Sequence, residues 1–375
     1  MKKRVELAKL STGDMVYRYD KSIVVHFMGQ RKVLSTSVYN GGYQEQLSAV
    51  FNHDGTRGPG RRYEVLADTY IEHMKKVATS LELDCEKVSG MGTAASMENV
   101  AIKSMSFKEL TVTAIVTGGI EVNGGRVGDP AQYYQPLEKP DRLGTINIIL
   151  AIDADLPAGI LARALVTCTE AKTAALQELM AGSHYSTGIA TGSGTDQTML
   201  IANPESSLYL EAAGKHAKLG ELIGKSVMAA VKEALERQSG LNPKKQHDMM
   251  RRLQRFGISE ESCWCCYQRL EGAHSVRKAA FMTELYRLCC RDFLVTAGVM
   301  YIHLHDEYSW GLLKKEAVEA AAARLLGDLA EKMKISPVQY PVTITEYMKP
   351  LQEILLTGLA SELEKQHTRA EAMCS

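Results

Sequence analysis

Hydrophobic positions follow two rhythms along this chain. To about residue 203, short β-branched runs, glycine loops and helical spacings alternate, which predicts an α/β domain built on a mixed sheet. Alternating stretches predict strands over 22–28 and 31–38, and Asn40-Gly41-Gly42 reads as a turn. Val65, Tyr70, Met74, Val77 and Leu81 recur at nearly helical spacing, predicting a helix from Arg61 to Leu81. A short strand at Lys87-Val88-Ser89, a short helix through Met97 to Val100 capped by Ser96, and a strong strand from Glu109 to Val116 follow.

The middle of the chain reads as one strand–helix–strand unit. Thr145 to Ile152 is apolar and β-branched, as a buried strand requires. Asp153 and Asp155 offer cap side chains and Pro157 suits a first helical turn, so a helix is expected to Met180, with Gly182 as its C-terminal cap. A second strand, Ser186 to Ala190, is expected to run into Thr191-Gly192-Ser193-Gly194-Thr195-Asp196, with a third apolar run at Thr198 to Ala202. On the helix, Leu161, Leu165, Cys168, Ala175 and Leu179 form one stripe with Lys172 in its middle. Glu170 falls opposite, beside Arg163 and Thr167.

From Lys215 the spacing turns helical. Leu219, Ile223, Val227, Val231 and Leu235 make a stripe ending near Gly240, and His216 lies one turn before Leu219 on that stripe. Asn242-Pro243 marks a boundary, so the expected domains are 12–240 and a mostly α-helical extension, 241–375. Helices are expected there at about 244–255, 260–270, 275–305, 314–333 and 344–366, with Pro337, Pro341 and Pro350 as punctuation. The stripe Ala317, Ala321, Leu325, Leu329 and Met333 needs a partner surface: the extension itself, the first domain, or a second copy in a homo-dimer.

Composition narrows the function classes. Across 375 residues, 44 basic and 44 acidic side chains leave no nucleic-acid footprint. No apolar run reaches the roughly 18 residues of a membrane span. Eight cysteines in a chain of this length are no disulfide scaffold, and the reading is a reduced, cytoplasmic protein. Cys263-Trp264-Cys265-Cys266 and Cys289-Cys290 lack paired C-x-x-C spacing, and His303 and His305 face different sides of a helix, so no metal is expected.

Chemistry concentrates in two glycine-rich tracts. Thr117 to Pro130 carries Asn123 and Arg126 as donors and Asp129 as an acceptor or base, though it reads equally well as a long decorated turn. Its glycines lack the G-x-G-x-x-G spacing of a dinucleotide fingerprint. Thr191 to Asp196 combines glycines and hydroxyls, as an anion nest, an oxyanion hole or a plain hairpin turn would. A buried lysine must be paired, snorkel or lose its charge, and Asp196 is the natural partner for Lys172. Ser35, Thr36, Ser37 and Thr93 are further hydroxyl candidates, and His216 is a base candidate or a core histidine.

Thr169-Glu170-Ala171-Lys172-Thr173 and Ala190 to Asp196 resemble motifs of the adenosylcobinamide amidohydrolase family. So do Gly118-Gly119-Ile120-Glu121-Val122-Asn123-Gly124-Gly125-Arg126-Val127-Gly128-Asp129-Pro130, Gly144-Thr145-Ile146-Asn147 and Gly214-Lys215-His216-Ala217-Lys218-Leu219-Gly220. The resemblance implies cleavage of the amide joining aminopropanol to the corrin ring, yielding adenosylcobyric acid for cobamide salvage. It implies Lys172, Asp196, Glu170 and His216 as catalytic candidates. Gly118, Gly119, Asn123, Arg126, Asp129, Thr191, Ser193 and Thr195 are the substrate-binding ones. No cofactor is expected beyond the corrinoid's own cobalt, which arrives with the substrate. A corrinoid binder without catalysis and a threonine-nucleophile acyl-transfer or self-processing enzyme, through Thr93 or Thr191, stand as alternatives.

Overall fold

The computed structural model describes residues 4–56, 63, 65–131, 134, 144–270, 276–336 and 342–374. The chain divides into two units, Met1–Asn242 and Pro243–Ser375. In chain order the first unit runs β1 (Val5–Lys9), β2 (Met15–Arg18), β3 (Ser22–His26), β4 (Lys32–Ser35), β5 (Gly42–Gln44), β6 (Ala49–Asp54), α1 (Tyr70–Ser80) and β7 (Val88–Thr93). It continues through β8 (Ala101–Phe107), β9 (Leu110–Gly119), β10 (Gly124–Gly125), β11 (Thr145–Ile152), α2 (Ala158–Glu178), β12 (Gly192–Ser193), β13 (Gln197–Ala202) and α3 (Lys218–Ser239).

All eight residues of β11 are buried, and the topology explains why. The strand lies inside a six-stranded sheet of order β5-β4-β13-β11-β9-β8, parallel to β13 and antiparallel to β9. A second sheet has the order β1-β2-β3-β6-β7, and β10 pairs with β12 as a short ribbon. Alternation along β11 sends Ile146, Ile148, Leu150 and Ile152 into a core shared with α2 and α3. Ile149 and Ala151 point the other way, into a core shared with Val25, Val50 and Met91 of the second sheet. That sheet's far face carries Val24, Phe51 and Val88 against Met74, Val77 and Ala78 of α1. The unit is therefore four layers: helix, sheet, sheet, helices. Each of the valine, leucine, isoleucine, methionine and phenylalanine side chains so buried contributes about 1.5–3 kcal/mol.

The seam between the sheets is not wholly apolar. Asn52 Nδ2 donates to Thr117 Oγ1 (2.8 Å), and Asn147 Nδ2 donates to Asn52 Oδ1 (2.7 Å) and to the Gly92 carbonyl (3.1 Å). These bonds tie β6 and β7 to β9 and β11, and a satisfied buried network of this kind fixes one packing of sheet on sheet.

Several expectations are corrected by local chemistry. α1 begins at Tyr70, because the Thr69 side chain accepts from Glu72 N and caps it. Residues 61, 62 and 64 of the expected helix lie outside the described residues, and Val65 is exposed. Asp153 and Asp155 do not cap α2: Asp153 accepts from Asn203 and Asp155 pairs with Lys32. α2 ends at Glu178, two residues short of the expected Met180; the left-handed φ of Met180 (49°) lets Ala181 N close onto the Leu176 carbonyl, leaving Gly182 no capping role. Ser186 to Ala190 forms no strand beyond the isolated bridge of Ile189 with Gly182. His216 is exposed and precedes α3, off the apolar stripe where it was expected.

The second unit packs α4 (Met249–Leu253), α5 (Glu260–Tyr267), α6 (Lys278–Cys289), α7 (Asp292–Ser309), α8 (Lys315–Met333) and α9 (Met348–Cys374) around one apolar core. The helix expected over 275–305 is two helices, broken at Cys290-Arg291. Its stripe changes phase there: on one continuous helix Leu294 would lie about 240° around from Leu288. The break buries Leu294 and leaves the Asp292 side chain 94% exposed. In α8 the buried stripe is Val318, Ala322, Leu326, Leu329 and Met333, one residue on from the expected phase over its first three members. Both phases are apolar in this alanine-rich helix, and the observed one buries Val318 in place of Ala317. Pro337 and Pro341 lie outside the described residues.

Candidate active site

A cavity of about 540 Å³ opens in the first unit between the tract after β9, the outer face of α2 and the turn from β12 to β13. Asn123, Gly125, Arg126, Val127, Asp129 and Pro130 form one wall, and Thr169, Lys172 and Thr173 another. Tyr185 and Thr191 to Thr195 complete the lining. The ribbon is what joins the tracts: Gly124 pairs with Ser193 and Gly125 with Gly192. Thr191 N donates to the Gly125 carbonyl (2.8 Å), and Val127 N donates to Thr191 Oγ1 (2.9 Å).

Lys172 and Asp196 pair at the base of this cavity, with side chains 12% and 10% exposed. Lys172 stands at the edge of the α2 stripe rather than in its middle; Ala164, Cys168, Ala171 and Ala175 occupy the centre. Thr167 is buried with them. Lys172 Nζ donates to Asp196 Oδ2, which also accepts from Ser193 N (3.0 Å). Asp196 Oδ1 accepts from Ile146 N (2.8 Å) and Ser193 Oγ (2.7 Å). One carboxylate thus holds β11, the glycine turn and the lysine together. Position 192 must be glycine for this to stand, since an added Cβ would collide with Asp196 Oδ2 and lie 2.7 Å from Lys172 Nζ.

Across the cavity, Asp129 Oδ2 accepts from Arg126 N (2.7 Å) and from Ser183 Oγ (2.6 Å). Burial pulls this carboxyl up, but hydrogen bonds from Ser183, Ser186 and the Arg126 amide, with the Arg126 charge, outweigh it and hold it below its usual value. Asn123 Nδ2 donates to the Gly144 carbonyl (2.5 Å), fastening the start of β11 to the tract after β9. One turn from Lys172, burial pushes the Cys168 thiol up to about 12 against the pull of the lysine, so it is no thiolate nucleophile.

The cavity gathers Asn123, Arg126, Asp129, Lys172, Thr191, Ser193 and Thr195, with Asp196 directly behind Lys172. Gly118 and Gly119 stand apart: they pair with Ile146 and Thr145, and Gly118 packs by Leu235 while Gly119 packs by Gln238. Glu170 pairs with Lys215 at the surface and does not line the cavity, nor does the exposed His216. The other hydroxyl candidates are engaged elsewhere: Ser37 Oγ donates to the Gly90 carbonyl, Ser35 Oγ accepts from Ser89, Thr36 Oγ1 from Thr198 N and Thr93 Oγ1 from Ala95 N. Residues that sequence reasoning passed over are Val127, Thr169, Thr173, Tyr185 and Ser183. Thr169 and Thr173 were findable, since they share one helix face an i, i+4 step apart beside Lys172. Tyr185 and Ser183 carry no local signal. Among the described residues, no group of three or more His, Cys, Asp or Glu could hold a metal ion, and no helix is long and apolar enough to cross a membrane.

A protein described as uncharacterized, from Methanocaldococcus jannaschii, is 34% identical to this chain over 233 residues, covering 58% of this chain and 87% of that protein. A crystal structure of a protein from Pyrococcus horikoshii aligns over 68% of this chain and 91% of its own at 13% identity, with a TM-score of 0.32, a likeness too slight to carry an argument. The sequence model described as adenosylcobinamide amidohydrolase matches residues 7–243, which spans the whole cavity lining. On that match, the chain belongs to the adenosylcobinamide amidohydrolase family.

Proposed function

We propose that this protein hydrolyses the amide joining the aminopropanol arm to the corrin side chain of adenosylcobinamide. The products are adenosylcobyric acid and aminopropanol, and the setting is corrinoid salvage in the cytoplasm. One observation carries the reading: a lysine ammonium, held in place by Asp196, is presented to a cavity walled by glycines, hydroxyls and a carboxylate. Amide hydrolysis builds negative charge on the carbonyl oxygen, and a positioned cation is worth most where water is partly excluded. An ammonium has three N–H donors, and Lys172 directs one at Asp196. The others suit a developing oxyanion.

Size is consistent with the arm rather than the whole substrate. A cavity of about 540 Å³ falls in the range that takes one drug-sized group. The larger macrocycle would rest at the mouth, where Val127 (83% exposed) and Tyr185 offer apolar surface. The cobalt is part of the substrate and needs no protein ligand.

The test is incubation of the full-length protein with adenosylcobinamide in the dark, followed by chromatography of the corrinoids and assay of the amine. Adenosylcobyric acid and aminopropanol in equal amounts are expected. A corrinoid recovered unchanged, even with a shifted absorbance spectrum, would make the protein a binder and overturn the proposal.

A further inference from the structure

We propose that Asp129 is the general base of this hydrolysis, that water attacks the amide directly, and that no acyl-enzyme forms. The inference rests on the amidohydrolase reading above and adds the proton's destination to it.

The lining itself supplies the argument. Of its titratable side chains, Arg126 and Lys172 bring cations and Tyr185 a phenol; Asp129 brings the carboxylate. Glu170 and His216 do not line the cavity, and Asp196 lies behind Lys172 with four donors on its two oxygens. Four donors fill the four lone-pair sites of that carboxylate and leave none for a further proton.

The hydroxyls fail as nucleophiles for the same reason. A serine or threonine needs a base at its proton. Ser193 Oγ donates to the saturated Asp196 (2.7 Å), and Thr195 Oγ1 to the Gly144 carbonyl (2.9 Å). Thr169 and Thr173 Oγ1 donate to the carbonyls of Leu165 (3.0 Å) and Thr191 (3.3 Å). Thr191 Oγ1 accepts the Val127 N–H, which orients the hydroxyl without activating it. Asp129 takes three donors, Arg126 N, Ser183 Oγ and Ser186, one fewer than Asp196, and it borders the same space as Lys172.

The water oxygen bonds to the amide carbon as its proton passes to the Asp129 carboxylate, and the carbonyl electron pair moves onto oxygen beside Lys172. Collapse of the tetrahedral species breaks the C–N bond, and the departing nitrogen takes the proton from Asp129. Carboxylic acid and amine result, and ionise in solution. A carboxyl held below its usual value stays ionised at neutral pH but is a modest base, so the expected contribution is near the low end of the range, about a hundredfold. Because only the ionised form works, kcat/KM should stay level as pH falls from neutral to about 5, and decline only at or below the ordinary carboxylate range near 4.

Asp129→Asn should lower kcat about a hundredfold while adenosylcobinamide binding, read by fluorescence quenching, changes less than about threefold. Asp129→Ala should regain part of its turnover on addition of formate, which a purely structural role for Asp129 would not allow. Wild-type protein quenched in acid during turnover should show an unmodified mass, a measurement that needs no variant to fold. Turnover of Asp129→Asn within tenfold of wild type would overturn the base assignment. A mass increase equal to the corrinoid acyl group, lost in Ser193→Ala, would replace it with a serine nucleophile. A wild type that leaves the amide intact takes both readings down together, so the two failures are distinguishable.

Discussion

Two cation–carboxylate pairs sit at opposite ends of the six-stranded sheet, and they are built to different ends. Arg31 and Asp14 meet near the C-terminal end of β13, with side chains 1% and 0% exposed. Their contact is bidentate, at 2.8 Å from Nε and 2.9 Å from Nη2. Arg31 also donates to the carbonyls of Thr12 and Gln30, to Asn203 Oδ1 and to Glu205. Its planar donors are thus distributed among acceptors, all but the exposed Glu205 fixed, that join the β1–β2 and β3–β4 turns to the end of β13. Lys172 and Asp196 meet at the N-terminal ends of β11 and β13, and there the saturation is one-sided. The carboxylate is fully engaged, while the ammonium keeps donors toward a cavity. A closed arginine network holds the fold; a lysine on a filled carboxylate is, on the function proposed above, a positioned charge with somewhere to act.

The contrast breaks most visibly at Asp14. Asp14→Ala leaves a buried guanidinium without its bidentate partner, and should cost about 3–5 kcal/mol in urea unfolding. Turnover per folded molecule should be unchanged; a stable variant with impaired turnover would reverse the assignment of this pair to the fold.

Lys172→Met keeps the apolar stem and removes the charge. Turnover should fall at least about a hundredfold, roughly 2.7 kcal/mol of barrier. Stability should fall by no more than about 1–2 kcal/mol, because Asp196 keeps its bonds from Ile146 and Ser193. Near wild-type steady-state rates in the folded variant would remove Lys172 from the chemistry.

The finest comparison uses two glycines. An added Cβ at either Gly192 or Gly29 would strike a carboxylate, Asp196 in one case and Glu205 in the other. Glu205 is 54% exposed and can swing away; Asp196 is held by four hydrogen bonds and cannot. Gly192→Ala should therefore reduce turnover about tenfold by displacing the ion pair, whereas Gly29→Ala should stay within about 0.5 kcal/mol of wild-type stability with full activity. Equal behaviour of the two variants in parallel assays would show that the Lys172–Asp196 geometry tolerates movement.

What the chain could announce by itself was local. Six apolar residues among the eight from Thr145 to Ile152 declared a strand buried on both faces, and the i, i+4 rows of α3 declared a helix with one apolar side. Motif spelling pointed to the family before any contact was known. The strands β1, β2, β5, β6 and β8 went unread: all but β6 are short or half-exposed, and a strand's partners are supplied by distant segments rather than by its own sequence. The tertiary structure alone decided that two sheets stack through Asn52, Thr117 and Asn147, residues that look like ordinary polar positions until their hydrogen bonds are traced. It also decided which hydroxyls and carboxylates near the glycine tracts are engaged. Ser193 and Asp129 read alike in sequence as polar residues beside glycine, but one donates to a saturated carboxylate and the other is oriented by Ser183, 54 residues away. Periodicity records which face of an element is buried, because burial repeats every turn or every second residue. Hydrogen-bond saturation is a property of three-dimensional neighbours, and it leaves no period behind.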